Sequence, residues 1–125
     1  MQIPAARKMR SLLAALVFMP APAQVDRLAA AEAPDQRLAD GKKLAVARSK
    51  GNCLACHAIA DGELPGNIGP PLVYMQQRFP DKAQLRAQVW DATARNPNTV
   101  MPPFGRHGIL TDEEIELIVD YIHSL

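Results

Sequence analysis

The most reactive side chains of the sequence stand in one short segment, Cys53-Leu54-Ala55-Cys56-His57. This is a C-x-x-C-H motif, in which each thiol can form a thioether with one vinyl group of a haem. The imidazole that follows then lies beneath the iron and can serve as an axial ligand. The motif predicts one covalently attached haem c, held by Cys53 and Cys56 and ligated by His57.

Two other kinds of site also use a C-x-x-C pair, a dithiol redox centre and a zinc site. A thioredoxin-like dithiol follows a β-strand, whereas the residues before Cys53 have a helical pattern that ends at 49–52. A zinc site needs further ligands, but the chain has no other cysteine, and His107 and His123 are far apart in the sequence. The sequence therefore favours haem over both alternatives.

A sixth ligand on the haem iron would suit the site to electron transfer. The candidates outside the N-terminal segment are Met75, Met101, His107 and His123. Two consecutive prolines follow Met101, and they lower the disorder that its loop must lose on ligation. We predict Met101 as the second axial ligand and His107 as its rival. Met75 is expected in the core, and His123 facing solvent or capping a helix.

A rigid loop is expected between residues 61 and 71, where glycine and proline recur. A metal-bound histidine usually donates its second ring N–H to a fixed acceptor. The backbone carbonyl of Pro70 is the predicted acceptor for His57. An ordinary structural turn would have the same sequence pattern.

Helical periodicity predicts the elements that must position these groups, and no strand-like alternation of useful length occurs. The first helix runs from Gln36 to about Arg48, and the second begins at Asp81 and is ended by Asn96-Pro97. The last helix follows Thr111, which opens a T-x-x-E capping box. Each helix carries apolar residues on one face, so the sequence predicts an all-α fold.

Gly41 is unfavourable inside the first helix, because glycine costs up to about 1 kcal/mol there relative to alanine. We expect it to let another helix approach closely. The predicted neighbour is Tyr121, so that the first and last helices cross at this point. Trp90 is expected in the core or against the edge of the haem.

The N-terminal residues have the composition of a targeting segment. Three basic residues precede a short apolar run, and Ala21-Pro22-Ala23 matches an A-x-A cleavage pattern. We expect residues 1–23 to be a cleaved signal peptide, 24–35 a flexible arm and 36–125 the folded domain. The apolar run is too short to span a bilayer, so no permanent membrane anchor is expected.

Charge and composition narrow the function further. The formal net charge is +1, and no basic cluster or basic-aromatic stripe follows the first ten residues. This pattern argues against a nucleic-acid partner. Aromatic residues make up only 5% of the chain, so a haem would supply much of the apolar interior of so small a domain.

The order of the motifs resembles the class I cytochrome c pattern from about Gln36 to Leu125. The run from Met101 to Thr111, M-P-P-F-G-R-H-G-I-L-T, is more specific and resembles the SoxX family. This resemblance implies a class I cytochrome c fold, with about three to four main helices around one covalent haem. It also implies a periplasmic heterodimer with a SoxA-like cytochrome subunit, in which His57 and Met101 hold the relay haem.

The resemblance further implies an L-cysteine S-thiosulfotransferase, which joins thiosulfate oxidatively to a cysteine of a sulfur-carrier protein. Both cysteines of this chain are used by the haem, so no thiol is left for sulfur chemistry. We therefore expect no catalytic residue in this chain, which would pass electrons to a downstream cytochrome. The alternative is a free class I cytochrome that diffuses between unrelated redox proteins.

Overall fold

The computed structural model describes residues 33–60 and 62–125. Within these residues it contains no strand, and its α-helices are α1 (Pro34–Val46), α2 (Met75–Arg78), α3 (Lys82–Trp90) and α4 (Asp112–His123). Two short 3₁₀ helices cover Cys53–Ala55 and Ala92–Ala94. The all-α prediction is confirmed. The predicted signal peptide, and the arm up to residue 32, lie outside the described residues.

Helices α1 and α4 cross at Gly41. A Cβ atom at Gly41 would lie 2.0 Å from the carbonyl oxygen of Leu117 and 2.9 Å from the Cβ of Tyr121. Only a residue without a side chain allows this approach. The predicted contact between Gly41 and Tyr121 is therefore confirmed. Helix α1 begins two residues earlier than expected, with Pro34 in its first turn, where a missing N–H breaks no helical hydrogen bond.

Helix α4 begins with the predicted capping box. The Thr111 hydroxyl accepts from the Glu114 N–H at 3.2 Å, and the Glu114 carboxylate accepts from the Thr111 N–H at 3.0 Å. These bonds satisfy donors that the first turn of a helix leaves unpaired. The side chains that α4 buries are Ile115, Ile118, Val119, Tyr121 and Ile122.

Helix α3 ends earlier than the sequence indicated. It was expected to reach Asn96-Pro97, but it stops at Trp90. Asp91 is extended, with φ −152° and ψ 91°, and its carboxylate accepts hydrogen bonds from the N–H and hydroxyl of Thr93. Asp91 thus caps a new 3₁₀ turn, because a short acidic side chain competes with the helix for backbone donors. At the start of α3, Asp81 caps by accepting from the Ala83 N–H at 2.9 Å.

The one-turn helix α2 was not predicted. It follows Tyr74, whose φ of 54° is left-handed, and the Met75 N–H donates to the carbonyl of Leu125 at 2.8 Å. This bond ties the proline-rich loop to the C-terminus of the chain. Met75 is 2% exposed, so its predicted place in the core is confirmed. No helix among the described residues is long and apolar enough to cross a membrane.

Candidate functional site

A cavity of about 550 Å³ opens beside the C-x-x-C-H segment. Its volume lies within the ~300–1,000 Å³ typical of cofactor pockets. Much of its wall is apolar and comes from the loops and from buried residues of α3 and α4, including Leu72, Leu85, Val89, Phe104, Leu110, Ile118 and Ile122. The predicted site residues Cys53, Cys56, His57, Pro70 and Met101 also line this one cavity.

A tight turn positions the first three of these residues. Asn52 is left-handed, with φ 48°, and leads into the 3₁₀ helix Cys53–Ala55. The His57 N–H then donates to the Cys53 carbonyl at 2.8 Å. The preceding Gly51 N–H donates to the carbonyl of Leu44 at 3.1 Å, which anchors the turn on α1. The motif therefore presents its thiols and imidazole from one compact segment.

The His57 ring is held by the proline-rich loop. Its Nδ1 lies 2.7 Å from the carbonyl oxygen of Pro70. Because a carbonyl can only accept, Nδ1 carries the proton, which leaves the lone pair of Nε2 free for a metal. A Cβ at Gly69 would lie 2.4 Å from Cε1 of this ring, so the loop packs directly against the imidazole.

Met101 and its rival lie in different surroundings. Met101 is half-buried and lines the cavity, and its N–H donates to the Thr99 hydroxyl at 3.1 Å. His107 is exposed and is not part of the cavity wall. His123 is half-buried and its Nε2 donates to the carbonyl of Phe79 at 3.0 Å, just after α2. This carbonyl contact agrees with a capping role for His123.

The environment of the cysteines bears on the dithiol alternative. Burial raises the pKa of the Cys53 thiol to about 11, despite an opposing backbone hydrogen bond. Redox-active dithiols instead have a depressed thiol pKa, since the thiolate is the reacting form. For the zinc alternative, no group of three or more His, Cys, Asp or Glu side chains suited to a metal occurs in 33–60 and 62–125. Neither alternative gains support from the site.

Charge on the cavity wall was not anticipated from the sequence. Among the described residues, the ionic side chains that line the cavity are all basic: Arg48, Lys50 and Arg78. Lys50 pairs with Glu114 at 2.5 Å, and the Arg78 guanidinium donates to the Pro71 carbonyl at 2.8 Å. A haem carries two propionate carboxylates, which basic groups can balance. Arg48 and Lys50 stand just before Cys53 in the sequence, and this position could have indicated that they lie near the cavity. No feature of the sequence indicated that Arg78 would.

The chemistry of the donors also fits a haem. Two thiols can anchor the vinyl groups, and one imidazole has its acceptor nitrogen free. Two thioethers line the same cavity: that of Met101, and that of the buried Met75, whose sulfur accepts from the Arg78 guanidinium at 3.3 Å. An all-α domain built around such a cavity is a cytochrome c domain. The family model described as cytochrome C oxidase, cbb3-type, subunit III matches residues 36–122. The chain belongs to this family.

Known proteins that are similar to the chain include a cytochrome of solved structure and a bacterial lipoprotein. The crystal structure of SoxXA from P. pantotrophus matches with a TM-score of 0.62 and 31% identity, over 69% of this chain and 79% of the matched chain. An uncharacterized lipoprotein of Aquifex aeolicus (strain VF5) is 40% identical over 77 residues, which are 60% of this chain. The chain spans only 37% of that protein's length.

These comparisons confirm two of the sequence predictions. The family match and the likeness to SoxXA identify a SoxX-like cytochrome with the class I cytochrome c fold. They also support the coarser functional prediction, an electron-transfer protein that binds haem.

Proposed function

We propose that the chain is the electron-transfer subunit of a periplasmic SoxXA-type cytochrome that takes part in thiosulfate oxidation. The observation that carries this proposal is the convergence of two thiols, an imidazole and a thioether on one cavity, in a chain 31% identical to one of SoxXA. Cys53 and Cys56 would hold one haem c, and His57 and Met101 would ligate its iron.

The side chains divide the work of holding a redox group. When bound, haem c supplies one-electron oxidation and reduction. The Pro70 carbonyl orients His57 and makes its Nε2 a stronger electron-pair donor to a metal. Met101 provides a weak, soft ligand, and methionine ligation raises the reduction potential relative to ligation by two histidines. The apolar wall keeps water from the centre, which favours electron transfer over reaction with small molecules.

The proposed sulfur chemistry takes place on the partner. A carrier cysteine thiolate and the terminal sulfur of thiosulfate form a disulfide bond, and two electrons leave. A SoxA-like subunit would hold the reacting sulfur, because both cysteines of this chain are assigned to haem. This chain then accepts the electrons one at a time and passes them to a downstream cytochrome.

An extracytoplasmic location is supported by independent observations. The C-x-x-C-H motif and the cytochrome c family are typical of exported proteins, and one relative is named a lipoprotein. The pattern of residues 1–23 is that of a cleaved signal peptide. We therefore propose that the mature protein lies in the periplasm.

Co-purification tests the subunit role. The chain, expressed with cytochrome maturation and with a SoxA-like subunit, should elute with that subunit in size-exclusion chromatography. The complex should conjugate thiosulfate to the carrier cysteine, and the isolated chain should not. Conjugation by the isolated chain would contradict the proposal. Elution as a monomer in the presence of the partner would favour the alternative of a free diffusible carrier.

A further inference from the structure

The loop that carries Met101, residues 99–110, contains no helix or strand that could set its position. We call it the methionine loop. A thioether is a weak ligand, so a loop that brings it to iron must be held in place before ligation. The contacts that hold the methionine loop lie at the end of α3, around the side chain and carbonyl of Trp90.

The backbone of the loop bonds to the end of α3. The N–H groups of Gly105 and Arg106 both donate to the carbonyl of Trp90, at 3.1 and 3.3 Å. Trp90 is the last residue of α3, and a carbonyl in that position has no partner within its own helix. The loop therefore completes the helix end.

The Trp90 ring also leaves room for only one residue type in the loop. A Cβ atom at Gly105 would lie 2.1 Å from Cε3 and 2.2 Å from Cδ2 of the indole. Gly105 has no left-handed φ, so space, and not backbone geometry, requires glycine there. Gly108 in the same loop is the reverse case, with φ 63° and nothing within 4 Å of an added Cβ.

Polar contacts secure the same corner. The Arg106 guanidinium donates to the Asp91 carboxylate at 2.9 Å and to the Thr93 hydroxyl at 3.2 Å. The Arg86 guanidinium lies over the Trp90 ring, 5.3 Å from its centroid. Arg86 in turn donates to Asp112 at 2.7 Å and to Glu116, both on α4. The ring that Gly105 meets is thus tied to two helices.

A short, stiff connection joins this corner to the ligand. Between Met101 and Gly105 stand two prolines and Phe104, which is 8% exposed and lines the cavity. The Phe104 carbonyl accepts from the N–H groups of Ile109 and Leu110, at 2.9 and 3.2 Å. The backbone between Gly105 and Met101 therefore has little freedom to adjust, so a displacement at Gly105 also displaces Met101.

We propose that the contact between Gly105 and Trp90 is the positioning device that presets Met101 for the haem iron. The proposal rests on the proposed function, since it takes Met101 as the axial ligand. Gly105 acts through the loop and touches neither the cofactor nor a substrate. When this contact is broken, the loop spends more time with the thioether away from iron.

The test compares two glycine-to-alanine variants of the haem-loaded protein. Gly105→Ala should weaken the sulfur-to-iron charge-transfer absorption. It should also tighten the apparent Kd for added imidazole by about tenfold, because imidazole binds the fraction of protein whose methionine has left the iron. Gly108→Ala also strains the loop but meets no side chain, and it should keep the wild-type spectrum and affinity. Haem content and helical circular dichroism confirm that both variants are folded.

A double-mutant cycle assigns the effect to Trp90. In the Trp90→Leu background, Gly105→Ala should change imidazole affinity by much less than in the wild type, because the clashing ring is gone. Equal effects in the two backgrounds would overturn the proposal. An equal effect of Gly108→Ala would also overturn it, because general loop strain would then suffice.

The same spectra separate this inference from the proposed function. If the wild type lacks the sulfur-to-iron charge-transfer absorption, Met101 ligation itself is refuted. Absorption that is present in the wild type and unchanged in Gly105→Ala, with unchanged imidazole affinity, would refute only the positioning role.

Discussion

The two sides of the cavity are built on different principles. On one side, Cys53, Cys56 and His57 come from a single turn, and the imidazole is held by the Pro70 carbonyl at 2.7 Å. On the other, Met101 lies in a loop whose backbone bonds to Trp90, the last residue of α3, and whose Gly105 packs against the Trp90 ring. The proposed histidine ligand is thus positioned by residues close to it in the sequence, and the proposed methionine ligand by tertiary contacts.

This difference has a physical consequence. Two thioether bonds and a local turn would keep His57 near the iron even in a partly loosened protein. The methionine loop has no such tether and loses its position when its contacts with α3 loosen. Regions held by few contacts open at lower free energy than the core. We therefore expect perturbations to reach the methionine side first.

The largest expected effect comes from removing the tether. Replacing both Cys53 and Cys56 with alanine should abolish covalent haem, because neither thioether can form. The measurement is haem staining after denaturing electrophoresis, with the alkaline pyridine spectrum. His107→Ala is the control and should keep its haem. Haem that survives denaturation in the double variant would contradict the attachment.

The next effect concerns the sixth ligand alone. Met101→Ala should keep covalent haem but lose the sulfur-to-iron absorption. Its reduction potential should decrease, by less than the ~0.8 V range over which axial ligands tune haem potentials. His107→Ala should change neither, because His107 is exposed and outside the cavity wall. If His107→Ala instead altered the spectrum and Met101→Ala did not, the ligand assignment would be reversed.

A third change separates stability of the fold from ligand positioning. Gly41→Ala should destabilise the protein by about 1–3 kcal/mol, because the added methyl overpacks the crossing of α1 and α4. Urea unfolding of the haem-loaded protein measures this. Lys43→Ala, on an exposed part of α1, should cost less than about 0.5 kcal/mol. The sulfur-to-iron absorption of folded Gly41→Ala should be unchanged; its loss would show that the two regions are coupled.

The smallest effect is electrostatic. Burial alone would raise the pKa of Asp120, but hydrogen bonds from Lys82 and Arg37 outweigh it and hold the pKa below its ordinary value. A depressed pKa stabilises the fold above the unfolded value of about 3.9, and this contribution is lost as the pH falls through the folded value. Asp120→Asn should therefore cost at most about 1 kcal/mol at pH 7.

The pH dependence supplies the check on Asp120. Unfolding by urea at a series of pH values should show the difference from the wild type shrinking below about pH 4. Glu63→Gln, at an exposed loop carboxylate, serves as the control and should show no comparable difference. A pH-independent loss in Asp120→Asn would mean that packing, and not charge, is responsible.

Local signals predicted much of the fold. The capping box of α4 was visible because its two partners are three residues apart, and Gly41 was conspicuous because glycine is costly within a helix. The end of α3 was missed because Asp91, an ordinary surface residue in sequence, diverts its carboxylate to cap the next turn. Helix α2 was missed because its single turn is stabilised by the C-terminal carbonyl, 50 residues away in sequence.

The sequence by itself determined that Cys53, Cys56 and His57 lie together, because their spacing places two thiols and an imidazole within one turn whatever surrounds them. Only the tertiary structure decided that Met101, and not His107, shares that cavity. It alone placed Gly105 against Trp90 and Arg78 on the cavity wall. These facts depend on packing between distant segments, whose geometry no local pattern of residues records.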